Sequence, residues 1–270
     1  MNEDYSLTGP SVSFIIIEYN SVDALPESIS GIINCLTKTS YEIIISSNSC
    51  YDKEKQESLK NKFPAAVWIF NEKNGGFAYG MNQGLRLARG RFLAILNPDA
   101  VLLDGFEGML GFMNKHSEIG AIGPEISDSK GIIQDSCRNY VSLHRFLLRQ
   151  LRRTFINYPA RERGLDHSLV QTVDWIAGAF IMVSRKAFEA TNGLDEKYFL
   201  YAEDMDWCAR IREAGYEIVY YPEMQVRFSG TRRARRINNF TGIFIKSHLR
   251  FWNKFGYFSG YPERKEIIYD

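Results

Sequence analysis

The chain has 270 residues, 45% hydrophobic and 24% charged. These proportions exclude a disordered or fibrous protein, and the length is enough for a sizeable α/β core. A formal net charge of +1 excludes a chain built as a whole to coat nucleic acid, and no apolar run approaches the roughly 18 residues of a membrane span.

Residues 13–17 (SFIII) form a short, β-branched apolar run that predicts a buried strand. Apolar residues recur at helical spacing over residues 23–36, with Pro26 suited to a first turn. Residues 42–46 predict a second strand, 52–63 a charged helix and 67–70 a third strand. A helix over 78–89 ends at Gly90, a C-cap signal, and residues 92–96 (FLAIL) predict a fourth strand. This alternation predicts a parallel sheet with right-handed crossovers and ligand-binding loops at its carboxyl edge. Beyond Asn97 the rhythm changes. A helix is expected over 105–115, a less regular region from 120–124 onward, and an Arg-rich amphipathic helix over 143–155. Strands are expected over 171–175 and 180–184, a short helix over 185–191 and a clearer helix over 204–214. A strand over 217–221 and a basic, aromatic helix over 237–255 complete the chain. The economical division is a catalytic domain over residues 1–230 with a helical extension over 231–270. The N-terminus is polar and acidic, unlike a signal peptide, and the four cysteines lack any C-x-x-C pair. Free thiols in a reducing cytoplasm are the expectation.

Charge is balanced only in sum. Residues 224–262 contain eight Lys or Arg and no acid, and residues 138–165 contain seven Arg against Glu162 alone. Such runs point to an anionic partner: ligand phosphates, a lipid-linked diphosphate or the inner surface of a membrane. The plainer alternative is a solvated basic face. The final helix carries basic and aromatic residues suited to peripheral membrane contact or a homodimer, or to packing on the main domain.

Three segments can carry chemistry. Asn97-Pro98-Asp99 follows an apolar strand, where a carboxylate can hold a divalent metal against diphosphate oxygens or simply form a turn. The glycine-rich stretch from Asn74 to Gly84 opens a helix. Its first N–H groups can meet phosphate, or its glycines can serve close packing. In Tyr201-Ala202-Glu203-Asp204-Met205-Asp206, Glu203 or Asp204 can serve as a general base, whereas Asp206 suits the helix dipole. Trp175 can line a pocket or the core. The four histidines are isolated and show no metal-ligand spacing.

In their order and spacing these segments resemble glycosyltransferase family 2, in particular its rhamnosyltransferase-like branch. The likeness covers Tyr19-Asn20, Asn74 to Gly84, Asn97-Pro98-Asp99, Gly178 to Arg185, and Gly193 to Asp206. The resemblance implies a GT-A fold: a Rossmann-like, mainly parallel sheet flanked by helices. It also implies inverting transfer of a sugar, rhamnose in that branch, from a nucleotide-diphosphate donor to a hydroxyl of a glycan or lipid-linked acceptor. By that analogy Asp99 is the ligand of Mg²⁺ or Mn²⁺, with Asn97 at the first position of an Asp-x-Asp pattern. Asp204 is the base with Glu203 beside it. Asn74, Gly76 and Asn82 shape the donor pocket, and Tyr19 and Asn20 lie near the base and ribose.

Departures from the family pattern are specific. Relatives carry Asp-Asn after the second strand, where this chain has Ser47-Asn48. Glu18 stands before Tyr-Asn, where Thr or Val is common, and supplies a carboxylate nearby. Arg227 replaces a histidine, and its guanidinium is expected to neutralise the diphosphate. An inactive family member and a basic anion- or membrane-binding module are the alternative readings. Metal-dependent donor hydrolysis favours the enzyme. Salt-sensitive binding of anionic surfaces without nucleotide binding favours the module.

Overall fold

The computed structural model describes residues 9–140, 142–143, 165–228, 240–257 and 261–269. Its N-terminal half builds the predicted parallel unit. Strand β1 (Val12–Glu18) is buried throughout and lies between β2 (Tyr41–Ser47) and β4 (Phe92–Leu96). The edge strand β3 (Ala66–Phe70) pairs β2, and all three pairings are parallel. Side chains alternate across the pleat. Phe14 and Ile16 of β1 join Leu25 and Ile32 of α1 (Leu25–Cys35) in one core layer. Ile15 and Ile17 join Met81 and Leu85 of α3 (Phe77–Leu87) in the other. The charged helix α2 (Lys53–Lys62) is capped by Asp52, which accepts from the Lys55 N–H at 2.8 Å.

Helix α3 sits unusually close to β1. A Cβ on Gly80 would lie 2.5 Å from Ile17 Cδ1, and one on Gly84 would lie 2.4 Å from Ile15 Cγ2. These two glycines therefore serve packing. The helix ends at Leu87 with Ala88 as its cap, so Gly90 is not the C-cap expected. Gly90 instead passes the β1 backbone, where a Cβ would come within 2.5 Å of the Ser13 nitrogen.

The sheet does not stay parallel. Its order is β3-β2-β1-β4-β10-β6-β11-β5, with β8 (Gln171–Thr172) on β11. Strand β10 (Phe180–Ser184) runs antiparallel to β4 and to β6 (Ile119–Ser127); the less regular region expected from 120–124 onward begins only after Ser127. Two further departures follow. β5 (Ala100–Asp104) begins directly after Asp99 and was not expected as a strand. β11 (Glu217–Phe228) continues past Tyr221 through a register shift, pairing β6 in parallel and β5 antiparallel. Residues 171–175 are split: β9 (Trp175–Ile176) leaves the main sheet to pair β7 (Cys137–Arg138). Helix α4 (Phe106–Lys115) covers the first layer, α5 (Arg185–Thr191) follows β10, and α6 (Glu203–Glu213) lies in the second layer.

Helix α7 (Phe240–Phe255) buries Phe251, Trp252 and Phe255 in that second layer. It is tied down by Lys254, whose Nζ donates to the fully buried Asp206 at 2.6 Å, where Tyr198 and Arg210 also donate. The expected helix over 143–155 lies outside the described residues apart from Leu143, as do residues 237–239 of the final one. None of the four cysteines lies in a disulfide, and no helix among the described residues is long and apolar enough to cross a membrane.

Candidate active site

The carboxyl ends of the strands converge on one edge. The Asn-Pro-Asp segment closes a tight turn, with the Ala100 N–H donating to the Asn97 carbonyl at 3.1 Å. The Asn97 N–H donates to the Ala179 carbonyl at 3.1 Å, and one residue earlier the Gly178 N–H donates to Asp204 Oδ2 at 2.9 Å. Two hydrogen bonds on adjacent residues thus connect the Asp99 turn to the head of α6.

Asp99 is half-buried, and its carboxyl forms no ion pair with any described residue. Burial without a counter-charge pushes its pKa up, although its own backbone N–H offsets part of this. A cation would relieve that penalty. Among the described residues no group of three or more His, Cys, Asp or Glu forms a protein-only cage. A metal here would therefore draw most of its oxygen ligands from diphosphate and water, which is the habit of Mg²⁺ and suits Mn²⁺.

The glycine-rich segment meets the acidic one. Gly76 has φ +93°, and a Cβ there would lie 2.3 Å from the Phe199 carbonyl oxygen. The Phe77 N–H donates to that carbonyl at 2.8 Å, and the Gly76 N–H donates to Asn74 Oδ1 at 3.0 Å. Both groups are thereby committed within the protein, so the phosphate cradle expected at the start of α3 is narrowed to its later N–H groups. Asn48 joins this corner to the strands: its amide nitrogen donates to the Gly76 carbonyl at 2.9 Å, and its Oδ1 accepts from Asn71 at 2.9 Å. Neither Asn48 nor Asn71 was expected to matter.

Backbone strain marks the head of α6. Tyr201 (φ 71°) and Ala202 (φ 62°) both sit in the left-handed region, a conformation non-glycine residues adopt at a cost of about 1–3 kcal/mol each. Helix α7 supports them. Ser247 donates to the Leu200 carbonyl at 2.8 Å, and the Tyr201 ring packs edge-on to Phe244 at 5.5 Å. This turn aims the two carboxylates that follow. Glu203 is buried, and its Oε2 has no hydrogen-bond partner among the described residues. Burial, with the Asp204 charge beside it, holds the Glu203 carboxyl well above the usual carboxylate range. Burial also raises Asp204, but the Gly178 and Met205 N–H groups and the nearby Arg138 pull it back. Asp204 is the less strongly raised of the two. Arg138, paired with Asp135 at 3.0 Å, lies 5.1 Å from the buried Trp175 ring.

The remaining expected residues divide. Tyr19 and Asn20 are exposed at the end of β1, and Asn74 is half-buried in the corner already described. Ser47 is buried and donates to Glu18 Oε2 at 2.5 Å. Asn82 is buried, and its amide is spent on Leu194 (Nδ2 to the carbonyl 2.8 Å, Oδ1 from the N–H 3.0 Å), fixing the loop that leads to the acids. Arg227 pairs its guanidinium with Glu27 in the first turn of α1, an ion pair open to solvent, so a diphosphate would share or displace that carboxylate.

A mixed sheet flanked by helices, with an Asn-Pro-Asp turn and an acidic helix head at one edge, defines a glycosyltransferase of the GT-A fold. The family model for Glycosyl transferase family 2 matches residues 13–191, and one for the N-terminal domain of galactosyltransferase matches residues 168–236. The chain belongs to glycosyltransferase family 2. It is 32% identical over 143 residues to an N-acetylglucosaminyl-diphospho-decaprenol L-rhamnosyltransferase of Mycobacterium tuberculosis, covering 50% of this chain and 46% of that one. It is 46% identical over 50 residues to the rhamnosyltransferase WbbL of Escherichia coli, covering 18% and 19%. The chain thus spans less than half the length of these curated relatives. Among solved structures, GalNAc-T7 with UDP, GalNAc and Mn²⁺ shares the fold at TM-score 0.65 and 15% identity, over 92% of this chain and 48% of that one. A Pyrobaculum calidifontis mannosyltransferase in complex with GDP-Man and Mn²⁺ does so at 0.56 and 17%, over 84% and 59%.

Proposed function

We propose that this glycosyltransferase moves a rhamnose-type sugar from its nucleotide-diphosphate donor to a hydroxyl of a glycan or lipid-linked acceptor, with inversion. The observation that carries this reading is the pair of hydrogen bonds from Asn97 to Ala179 and from Gly178 to Asp204, which couples the turn holding Asp99, a carboxyl without an ion pair among the described residues, to a positioned base. Asp204 accepts the proton of the acceptor hydroxyl. The hydroxyl oxygen attacks the anomeric carbon from the face opposite the diphosphate, the bond to the diphosphate breaks, and the nucleotide leaves. A carboxyl raised by burial, with two N–H groups offsetting part of that rise, suits a general base. Asp99, with Asn97, would hold Mg²⁺ or Mn²⁺, whose charge offsets that of the departing diphosphate.

The test is thermal unfolding with UDP, dTDP or GDP, each with and without Mn²⁺. One nucleotide at a hundred times its Kd stabilises the protein by about 2.7 kcal/mol. The shift should require the metal and vanish in Asp99→Asn. A shift indifferent to metal would remove Asp99 from the site, and no shift with any nucleotide would remove the donor.

Peripheral contact with an anionic membrane face belongs to the same reading and rests on α7. That helix exposes Ile245, Leu249 and Lys246 beside the loop it supports. Ile245→Asp with Leu249→Asp should lower binding to phosphatidylglycerol vesicles severalfold. Unchanged binding would discard the contact.

A further inference from the structure

One buried acid has no part in the chemistry above. Glu18, the last residue of β1, is fully buried, and four donors converge on its two oxygens. Oε2 accepts from Ser47 Oγ at 2.5 Å and Ser49 Oγ at 2.8 Å. Oε1 accepts from the Ser21 N–H at 2.8 Å and from Tyr51 Oη at 3.1 Å. Four donors match the capacity of an ionised carboxylate, which can only accept. The donors come from the loops that follow β1 and β2. A further bond, from the Asn20 N–H to Ser49 Oγ at 2.7 Å, ties those loops together.

The consequence concerns hydrogens. A hydroxyl has one, and Ser47, Ser49 and Tyr51 each give theirs to Glu18. Burial raises the Tyr51 phenol, the Ser49 hydroxyl beside it offsets part of that rise and the Glu18 charge adds to it, so Tyr51 remains a donor to that carboxylate. Toward any ligand these three oxygens present lone pairs only. Ser47 is buried, whereas Ser49 and Tyr51 are half-buried and reachable from the strand edge. The wall between the β1 and β2 loops is therefore an acceptor surface, and its polarity is set by a residue beneath it.

We infer that Glu18 is a positioning residue that selects the donor's nucleobase, fixing the Ser49 and Tyr51 hydroxyls as acceptors for a ring imide N–H. Uracil, thymine and guanine carry such a hydrogen. The same ring position is a bare nitrogen in cytosine and adenine, and it would face lone pairs. This inference rests on the donor reading above, with the base seated near Tyr19 and Asn20. A site built to accept an N–H rejects analogues lacking it, because its oriented acceptors are then left unpaired.

The experiment is calorimetric titration, with Mn²⁺ present, of UDP, dTDP, GDP, CDP, ADP and N3-methyl-UDP into the wild type and into Glu18→Gln. In the wild type at least one imide nucleotide should bind about tenfold or more tightly than CDP, ADP and the N3-methyl analogue. Glutamine places an N–H₂ group beneath the hydroxyls and releases their hydrogens, so that ratio should collapse toward one. A ratio does not respond to general weakening of the fold. Should Glu18→Gln fail to fold, Tyr51→Phe with Ser49→Ala removes the acceptors above an intact Glu18 and should erase the same preference. Nucleotide binding without base preference in the wild type, or a preference unchanged by the variant that folds, overturns the role of Glu18 and leaves the donor reading standing. Binding of none of the six overturns both.

Discussion

Glu18 and Glu203 are both buried glutamates at the edge of the same sheet, and they are treated in opposite ways. Glu18 receives four hydrogen bonds, whereas Glu203 leaves Oε2 with none among the described residues, and burial pushes its carboxyl up. The contrast extends to their surroundings. On the β1–β3 side, Asn48, Asn71 and the serines form a closed network. On the α6 side, among the described residues, stand a carboxyl oxygen without a hydrogen bond, two residues in left-handed backbone and, through the Gly178–Ala179 backbone, the turn of Asp99, which has no ion pair. A satisfied polar network makes a rigid wall, and unsatisfied buried acids mark the place where a proton, cation or substrate completes the site.

The sharpest way to break this comparison is to remove the acid assigned to proton transfer. Asp204→Asn should lower the rate of sugar transfer by about 10²–10⁴ while metal-dependent nucleotide binding persists. An active variant would return Asp204 to the structural role that acids at helix starts ordinarily play.

A smaller effect tests the seam between the two sides. Gly76 is forced by both its φ of +93° and its 2.3 Å approach to the Phe199 carbonyl. Gly76→Ala should destabilise the protein by about 1–3 kcal/mol, read in urea unfolding, and should reduce transfer by separating α3 from the turn before α6. A neutral substitution would mean that the two sides are not coupled through this contact.

How far the sequence reveals these two sides depends on where each contact comes from. The first four strands are legible because each is a short apolar run, and the helices between them carry clear spacing. β5 escapes notice because it starts within a turn signal and ends in the exposed Leu103 and Asp104. β11 hides behind Pro222 and Glu223, which read as a strand end but sit where the register shifts. In the candidate site, Asp99 and Asp204 stand out in the sequence because each acid follows a recognisable local pattern, and their roles are those proposed above. Asn48 and Asn71 look like ordinary turn residues, since their partners come from distant segments. The ion pair of Arg227 is hidden for the same reason. The partner of its guanidinium, Glu27, is 200 residues away in the chain and meets it only in the folded sheet.

The mildest test concerns Glu203 itself. Its folded pKa lies above the ordinary 4.5, so between those two values the folded protein holds a proton that the unfolded chain has released. Stability from this group is complete at pH below the ordinary value and is lost as pH rises through the folded one. Glu203→Gln keeps the shape of the protonated acid and cannot ionise. Its Tm should therefore fall less than the wild type's across that window, by roughly a few degrees at most, with the two curves alike in mild acid. Asp204 has a second consequence to show in the same variant. With the neighbouring acid unable to ionise, transfer should still rise with pH as Asp204 loses its proton. If Glu203→Gln instead abolishes that rise, the two carboxyls work as one proton-sharing unit, and the base must be assigned to the pair.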